Sequence, residues 1–296
     1  MSKSTLINDH FQNFKRYNIP KAQLVIADIP YNIGINAFSS NPSWYVGGDN
    51  KNGESELAGK EFFDTDKDFR VPELMHFCST LLNPEPKEVN KAACMLVFCS
   101  FEQQFQLIEV AKQYGLNNYI SLVFRKNFPA QVLKANMRVV GNCEYGLLLY
   151  RDKLPKFNNH EKMVFNCIEW EKDTKSPRGK MVFNYIEWEK DTKSPKIHPT
   201  QKPVKLLEFL INTFTDDGDV VIDPCAGSGS TLVACQNMNR RGYGFEIKKD
   251  FFNKANKWLD IENKQQSLFT ELKRLSQDDF FSDLKENKLE VVKNAG

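Results

Sequence analysis

The chain has 296 residues, 41% apolar and 26% charged, with a formal net charge of +2. That length and apolar content suffice for one large α/β domain with insertions, or two modest domains, around a sizeable core. The seven cysteines are odd in number and form no C-x-x-C pair, and with only four scattered histidines they argue against a disulfide framework and against a metal site. No apolar run reaches the roughly 18 residues of a membrane span, and Met1-Ser2-Lys3-Ser4 opens no signal-peptide pattern, which predicts a soluble protein of the cytoplasm with no membrane partner.

In chain order, Leu24-Val25-Ile26-Ala27 reads as a buried strand that runs directly into Asp28-Ile29-Pro30-Tyr31. A polar stretch follows from Asn36 to Asp68, with glycines at 47, 48, 53 and 59, and is expected to be a mobile, functional loop. Helical spacing returns at Leu74, Phe77, Leu81 and Leu82; Met95-Leu96-Val97-Phe98 is the next strand, and Phe101 to Gln113 the next helix. Strands follow at Ile120 to Phe124 and at Tyr145 to Tyr150. The alternation is that of a doubly wound α/β sheet.

Between Arg125 and Lys156 seven basic residues stand against two acidic ones. Such a segment is either a solvated loop face or a surface for a phosphate backbone. Further on, Lys162 to Pro177 and Lys180 to Pro195 are a tandem duplication with a period of 18, differing only at Cys167 and Tyr185. Two copies are too few for a solenoid. The second copy runs straight into Ile197-His198-Pro199-Thr200-Gln201-Lys202-Pro203, so it is expected to hold the structural place while the first bulges as extra surface. Val204, Leu207, Phe209, Leu210, Ile211 and Phe214 then mark a helix, ended by Asp216-Asp217-Gly218-Asp219. The strand Val220-Val221-Ile222 leads into Asp223-Pro224-Cys225-Ala226-Gly227-Ser228-Gly229-Ser230-Thr231. A helix from Ser230 to Asn237 and a strand from Gly242 to Ile247 follow, and after Asp250 the chain reads as helical, with Leu268, Leu272 and Leu275 on one face.

The turn from Asp223 to Ser230 is a ligand site in outline. Gly227 and Gly229 permit tight backbone conformations and close ligand approach, and Glu246 closes the next strand, where a carboxylate can accept ribose hydroxyls. The turn lacks the lysine of a Walker loop and the third glycine of the dinucleotide pattern, so the expected ligand is an adenosine compound. Asp28-Ile29-Pro30-Tyr31 suits chemistry on an exocyclic amine. An aromatic amine has its lone pair delocalised into the ring and must be polarised before it attacks. Asp28 and the Ile29 carbonyl can accept its two N–H groups, Pro30 stiffens the turn, and Tyr31 can stack on the base.

Together these residues resemble the β-group amino-methylating DNA methyltransferases of bacteria and phages, in which a D/N/S-P-P-Y/F motif precedes the cofactor motif. The resemblance runs from about Ala22 to Lys257. It rests on Asp28 to Tyr31, Phe62-Phe63-Asp64 with Asp66 to Phe69, Phe98-Cys99-Ser100 with Glu102-Gln103, Arg125-Lys126-Asn127, His198 to Pro203, Asp223 to Thr231 and Gly244-Phe245-Glu246.

It implies a Rossmann-like, circularly permuted methyltransferase sheet that uses S-adenosylmethionine. Asp223, Pro224, Cys225, Ala226, Gly227, Gly229, Glu246, Thr200 and Lys202 would line the cofactor pocket, and Asp28, Ile29, Pro30 and Tyr31 would carry the chemistry. The partner implied is DNA, met by Arg125, Lys126, Lys134 and Arg138 and by the loop 36–68, with the target base flipped out of the stack. A homodimer and a cognate restriction endonuclease are further partners the resemblance allows, in a bacterial or phage-infected cell.

The organisation expected is a catalytic half at 1–150, a target-recognition insert carrying the duplication at 151–197, a cofactor-binding half at 198–260 and a helical tail at 261–296. Asp at the head of the catalytic motif implies adenine N6 as the methylated atom. Cytosine N4, an amine of RNA or protein, and a catalytically weakened DNA-binding remnant stay open, because Ile29 replaces the first proline and the duplication falls in the target-recognition region.

Overall fold

The computed structural model describes residues 4–31, 69–126, 139–158, 194–198 and 201–264, and the short strands at 131–134, 164–165, 182–183 and 185–188; for those strands and for 139–141 the backbone alone is described. The expected loop at 36–68, Thr200, Arg138 and the tail beyond residue 264 lie outside the described residues, and so does the side chain of Lys134.

The strands are β1 (Thr5–Ile7), β2 (Leu24–Asp28), β3 (Cys94–Cys99), β4 (Asn118–Lys126), β5 (Gln131–Lys134), β6 (Val139–Gly141), β7 (Cys143–Tyr150), β8 (Val164–Phe165), β9 (Val182–Phe183), β10 (Tyr185–Trp188), β11 (Val220–Asp223) and β12 (Arg241–Phe245). The helices are α1 (Val71–Leu81), α2 (Gln103–Gln113), α3 (Val204–Phe214) and α4 (Ser230–Asn237), with a 3-10 helix at Phe11–Arg16 and a last helix at 249–264. None of the described helices is long and apolar enough to cross a membrane.

Eight strands form one sheet in the order β1-β12-β11-β2-β3-β7-β4-β10. The first strand of the chain therefore sits beside the last, as the permuted motif order requires. The strands from β1 to β3 are mutually parallel; β7 runs antiparallel to both β3 and β4. The alternation in the sequence did not foretell that reversal. Its physical reason is the connection: β4 reaches β7 through the β5–β6 hairpin, whereas a parallel return needs a crossover, usually helical. β2 and β3 have such a crossover in α1, and β11 and β12 have one in α4.

Helices cover both faces, which is why the central strands are apolar without alternation. Leu24 and Ile26 of β2 and Leu96 and Phe98 of β3 pack toward α3, α4 and the last helix. Val25, Ala27, Met95 and Val97 point the other way, toward the 3-10 helix, α1 and α2. Helix α1 opens with Pro72, where a missing N–H costs nothing, and buries Leu74, Met75, Phe77, Cys78 and Leu81. In α3 the same 3.6-residue spacing buries Leu207, Leu210, Ile211 and Phe214, each side chain contributing about 1.5–3 kcal/mol by leaving water. Four cysteines, Cys78, Cys94, Cys99 and Cys235, are free thiols in this core.

The duplicated segment enters the sheet through its second copy, whose β10 pairs in parallel with β4 from Tyr185↔Val123 to Trp188↔Lys126. The matching residues of the first copy, 167–170, lie outside the described residues. Elsewhere the copies meet each other in register: Val164 pairs with Val182 and Phe165 with Phe183, equivalent residues one period apart.

Candidate active site

The neighbours β2 and β11 are where the sheet's order reverses. The chain leaving β11 goes to β12 on one side, and the chain leaving β2 goes to β3 on the other. In an open α/β sheet such a switch point leaves a crevice at the carboxyl ends of the strands. Asp28 is the last residue of β2 and Asp223 the last of β11, so the two motifs, far apart in sequence, meet at that crevice.

On the catalytic side, strand periodicity decides which groups face one another. Asp28 is opposite Phe98, Phe98 opposite Gly146, and Phe124 opposite Glu144. A period of two then places Asp28, Glu144 and Lys126 on the face of the sheet that α3 covers. Lys202, just before α3, reaches the same spot. Its Nζ lies 2.8 Å from Asp28 Oδ2, 3.5 Å from Glu144 Oε2 and 4.9 Å from the centre of the Phe98 ring. Lys126 is ion-paired with Glu144 Oε1. The result is a quartet of two carboxylates and two ammonium groups, with Lys202 and Glu144 largely buried.

Burial raises the Asp28 carboxyl above its ordinary range, against the pull of Lys202. Burial alone would lower Lys202, yet the facing carboxylates of Asp28 and Glu144 hold it well above the usual lysine range. Burial likewise works to raise Glu144, and Lys202 and Lys126 outweigh it, keeping that carboxylate below its usual range.

The rest of the catalytic turn is held from behind. Gln103 Nε2 donates to the Pro30 carbonyl at 2.8 Å, while the Gln103 side-chain oxygen accepts from Ser100 N at 2.9 Å. Ile29, which stands where a proline was expected, buries its side chain at 2% exposure, and its amide donates to the Phe98 carbonyl at 3.4 Å. The extra N–H thus has a partner and the apolar side chain joins the core. Tyr31 lies 5.7 Å below Lys202 Nζ, and its hydroxyl is buried without a hydrogen-bond partner among the described residues.

Across the crevice, the turn after β11 needs left-handed backbone at Gly227 (φ 51°) and Gly229 (φ 80°). Gly229 caps α4, and an added Cβ there would lie 3.2 Å from Ala255 Cβ. Asp223 Oδ1 accepts from Cys225 N at 2.9 Å. Glu246 accepts from Gly227 N at 2.9 Å through one oxygen and from Lys248 N at 2.7 Å through the other. Burial pushes Asp223 up to about 7, against hydrogen bonds from Thr231 and Cys225, and raises Glu246 as well. His198 packs against Phe251 with ring centres 4.6 Å apart, beside Gly227, and burial with the nearby lysines takes it down to about 4, a neutral imidazole. Pro224 and Ala226 are buried and Cys225 half-buried in the same turn.

These residues fit an adenosine ligand. The glycine turn leaves open backbone at the head of a helix, and Glu246, a carboxylate with about four lone-pair positions, keeps acceptor capacity for hydroxyls beyond its backbone partners. No group of three or more metal-ligating side chains occurs among the described residues.

Of the sequence-derived site residues, Asp28 to Tyr31 and Asp223 to Gly229 with Glu246 are brought together at one crevice. Lys202 is placed on Asp28, at the catalytic side. Lys126, expected at a DNA surface, has its ammonium in the quartet, 11% exposed; Arg125 is half-buried at the end of β4. Glu144 was not singled out beforehand, and Gln103 was named within the resemblance without a role. A signal for Glu144 existed, since it shares a strand face with Leu148 and Tyr150, which are core residues, and an acid there needs a partner.

Residues 22–257 match the N6/N4 family of DNA methylases. The Type II methyltransferase M.HpaI of Haemophilus parainfluenzae is 40% identical over 84 residues, which are 28% of this chain and 27% of that protein. The chain thus spans about a quarter of that relative. Among solved structures, the M1.HpyAVI–SAM complex superposes with a TM-score of 0.57 at 22% identity, over 88% of this chain and 99% of the other. The PvuII cytosine-N4-specific DNA methyltransferase gives 0.59 at 14%, over 89% and 93%. At these identities the likeness is one of fold.

Proposed function

This chain belongs to the N6/N4 DNA methylase family, and from that premise we propose that it transfers a methyl group from S-adenosylmethionine to an exocyclic amine of DNA, adenine N6 in the first instance. The observation that carries this reading is the meeting of Asp28 with the glycine turn 223–229 at a single switch point. Asp223, Gly227, Gly229 and Glu246 would hold the donor, which supplies an electrophilic sulfonium methyl group.

Asp28 accepts one amine N–H, and the Ile29 carbonyl accepts the other, so the nitrogen lone pair is drawn out of the ring and aimed at the methyl carbon. The N–C bond forms as the C–S bond breaks, the electron pair leaves on sulfur, and the nitrogen then sheds one proton through Asp28 to water. Gln103 keeps the carbonyl-bearing turn from drifting, and Tyr31 offers its ring to the base. To reach a duplex amine the base must leave the stack, at a cost of a few kcal/mol. No cysteine nucleophile is called for, in keeping with the burial that raises the Cys94, Cys99 and Cys235 thiols.

Asp at the head of the motif favours adenine over cytosine N4 by analogy with the family. Incubation of the protein with unmethylated DNA and labelled S-adenosylmethionine, followed by nucleoside analysis, tests the proposal. N6-methyladenine is expected, and Asp28→Ala abolishes it. N4-methylcytosine would move the target, and donor binding without any transfer would favour the binding remnant.

A further inference from the structure

Glu144 has no assigned part in the reaction, yet it is the acid that the geometry ties most closely to the Lys202–Asp28 pair. One of its oxygens is held by Lys126. The other, Oε2, is buried and ion-paired with Lys202 at 3.5 Å, a longer contact than the 2.8 Å that Lys202 makes with Asp28. A buried carboxylate oxygen held at that distance is an acceptor that the ammonium can take up more closely.

Lys202 donates to Asp28 Oδ2, one of the two oxygens of the carboxylate that the proposed chemistry offers to the amine. An ammonium held wholly on that carboxylate makes it a poorer acceptor, so the hold has to loosen as the amine arrives. Glu144 Oε2 is the anionic position next to it.

We propose that Glu144 is a positioning residue that draws the Lys202 ammonium off Asp28 when the target amine binds, and that Lys126 balances its charge so that the quartet stays neutral. This rests on the reading of Asp28 as the amine acceptor. Without Glu144 the quartet carries one positive charge in excess, and all of Lys202 falls to Asp28. The acceptor is then masked at the moment when the attacking nitrogen itself becomes positive.

The charged groups that set the ionisation of Asp28 are Lys202 before α3, Glu144 on β7 and Lys126 on β4, and Asp28 in turn acts on Cys99 on β3, Asp223 and Cys225 at the end of β11 and Tyr31 beyond the motif. Of these, Glu144 is a negative charge, and its removal lowers Asp28, so the acid limb of the pH profile moves to lower pH.

The test compares the full-length wild type, E144Q, E144D and the double variant E144Q/K126M in methyl transfer, with D28A alongside. E144Q should lower kcat by about 10- to 100-fold while KM for S-adenosylmethionine stays within about threefold, and E144D should recover part of the loss. The double variant restores neutrality but not the anion beside Lys202, so it should stay close to the E144Q rate, whereas the loss of a merely structural ion pair would be relieved by removing its second partner. An E144Q enzyme with wild-type kcat and pH profile, or a double variant that recovers wild-type kcat, overturns the proposal. If E144Q does not fold, the double variant decides: it should turn over about 10- to 100-fold more slowly than wild type, and a wild-type rate overturns the assignment. Wild type without transfer, or D28A with full transfer, would instead count against the reading on which this one rests.

Discussion

Lys202 Nζ sits 2.8 Å from Asp28 Oδ2, joining residues 174 positions apart in the chain. The contact ties the segment before α3 to the end of β2, and it makes the charge of the proposed catalytic acid depend on a residue that the sequence presents as part of a separate motif.

Replacement of that lysine by methionine should therefore act through pH. Burial already raises Asp28, and Lys202 is the strongest influence opposing it, so K202M raises the carboxyl further. Since the ionised form is the acceptor, the acid limb of kcat/KM moves to higher pH. The loss should be larger at about pH 6 than at about pH 8.5 in a transfer assay across that range.

Asp223 makes the opposite kind of prediction, for stability. Its folded pKa of about 7 lies above the model-peptide value of 3.8, so the protonated acid is favoured in the fold. The advantage is complete below about pH 4 and disappears as pH rises through about 7. D223N keeps an acceptor for Cys225 N but no charge. It should stabilise the ligand-free protein at about pH 8, by on the order of a few kcal/mol, and flatten melting temperature against pH between those limits.

The two glycines of the turn should differ in how they tolerate alanine. At Gly227 the φ of 51° is open to alanine at about 1 kcal/mol, and a Cβ would meet the His198 ring at an ordinary 3.6 Å and the Cys225 carbonyl at 3.9 Å. At Gly229 the left-handed backbone is joined by a contact of 3.2 Å with Ala255 Cβ, so the cost should be about 2–3 kcal/mol. Urea denaturation of the two variants gives the comparison directly.

Gly146 is a position where a single methyl group reaches the site from the core. Its Cβ would lie 2.6 Å from Phe124 Cε2, and Phe124 is fully buried against Phe98, with ring centres 4.8 Å apart. G146A should lose about 1–3 kcal/mol and also slow methyl transfer, because Phe98 carries the ring under Lys202. A stability loss without any change in kcat would separate the core from the site.

Loss of the Gln103 side chain frees the Pro30 carbonyl and should loosen the catalytic turn. For Q103A a fall in kcat of about 10-fold is expected with binding of S-adenosylmethionine unchanged, read by single-turnover transfer and by calorimetry.

Much of the frame was legible because burial on both faces leaves a plain mark. The runs at Leu24 to Ala27, Met95 to Phe98 and Val220 to Ile222 are apolar without alternation, and each is a central strand. Helix α4 runs from Ser230 to Asn237 as expected, with Gly229 before it and the left-handed Asn239 two residues past its end. The direction of β7 was not legible, since an apolar run carries no arrow; only the hairpin before it sets the sense. For the site, the two motifs announced the strand ends, and Lys202 and Lys126 were named for other roles, but their convergence on Asp28 did not appear. Only the pairing of β4 with β7 and of β7 with β3 turns Glu144 and Lys126 toward one point.

The strand that ends the sheet, β10, is drawn from a text written twice. Residues 167–170 repeat Tyr185 to Trp188 apart from Cys167, so excision of one 18-residue unit leaves a chain that still encodes an edge strand for β4. Redundancy of this kind relaxes selection on one copy while the other keeps β4 paired. This border of the molecule is thus free to acquire new surface chemistry at no expense to the crevice on the far side of β3.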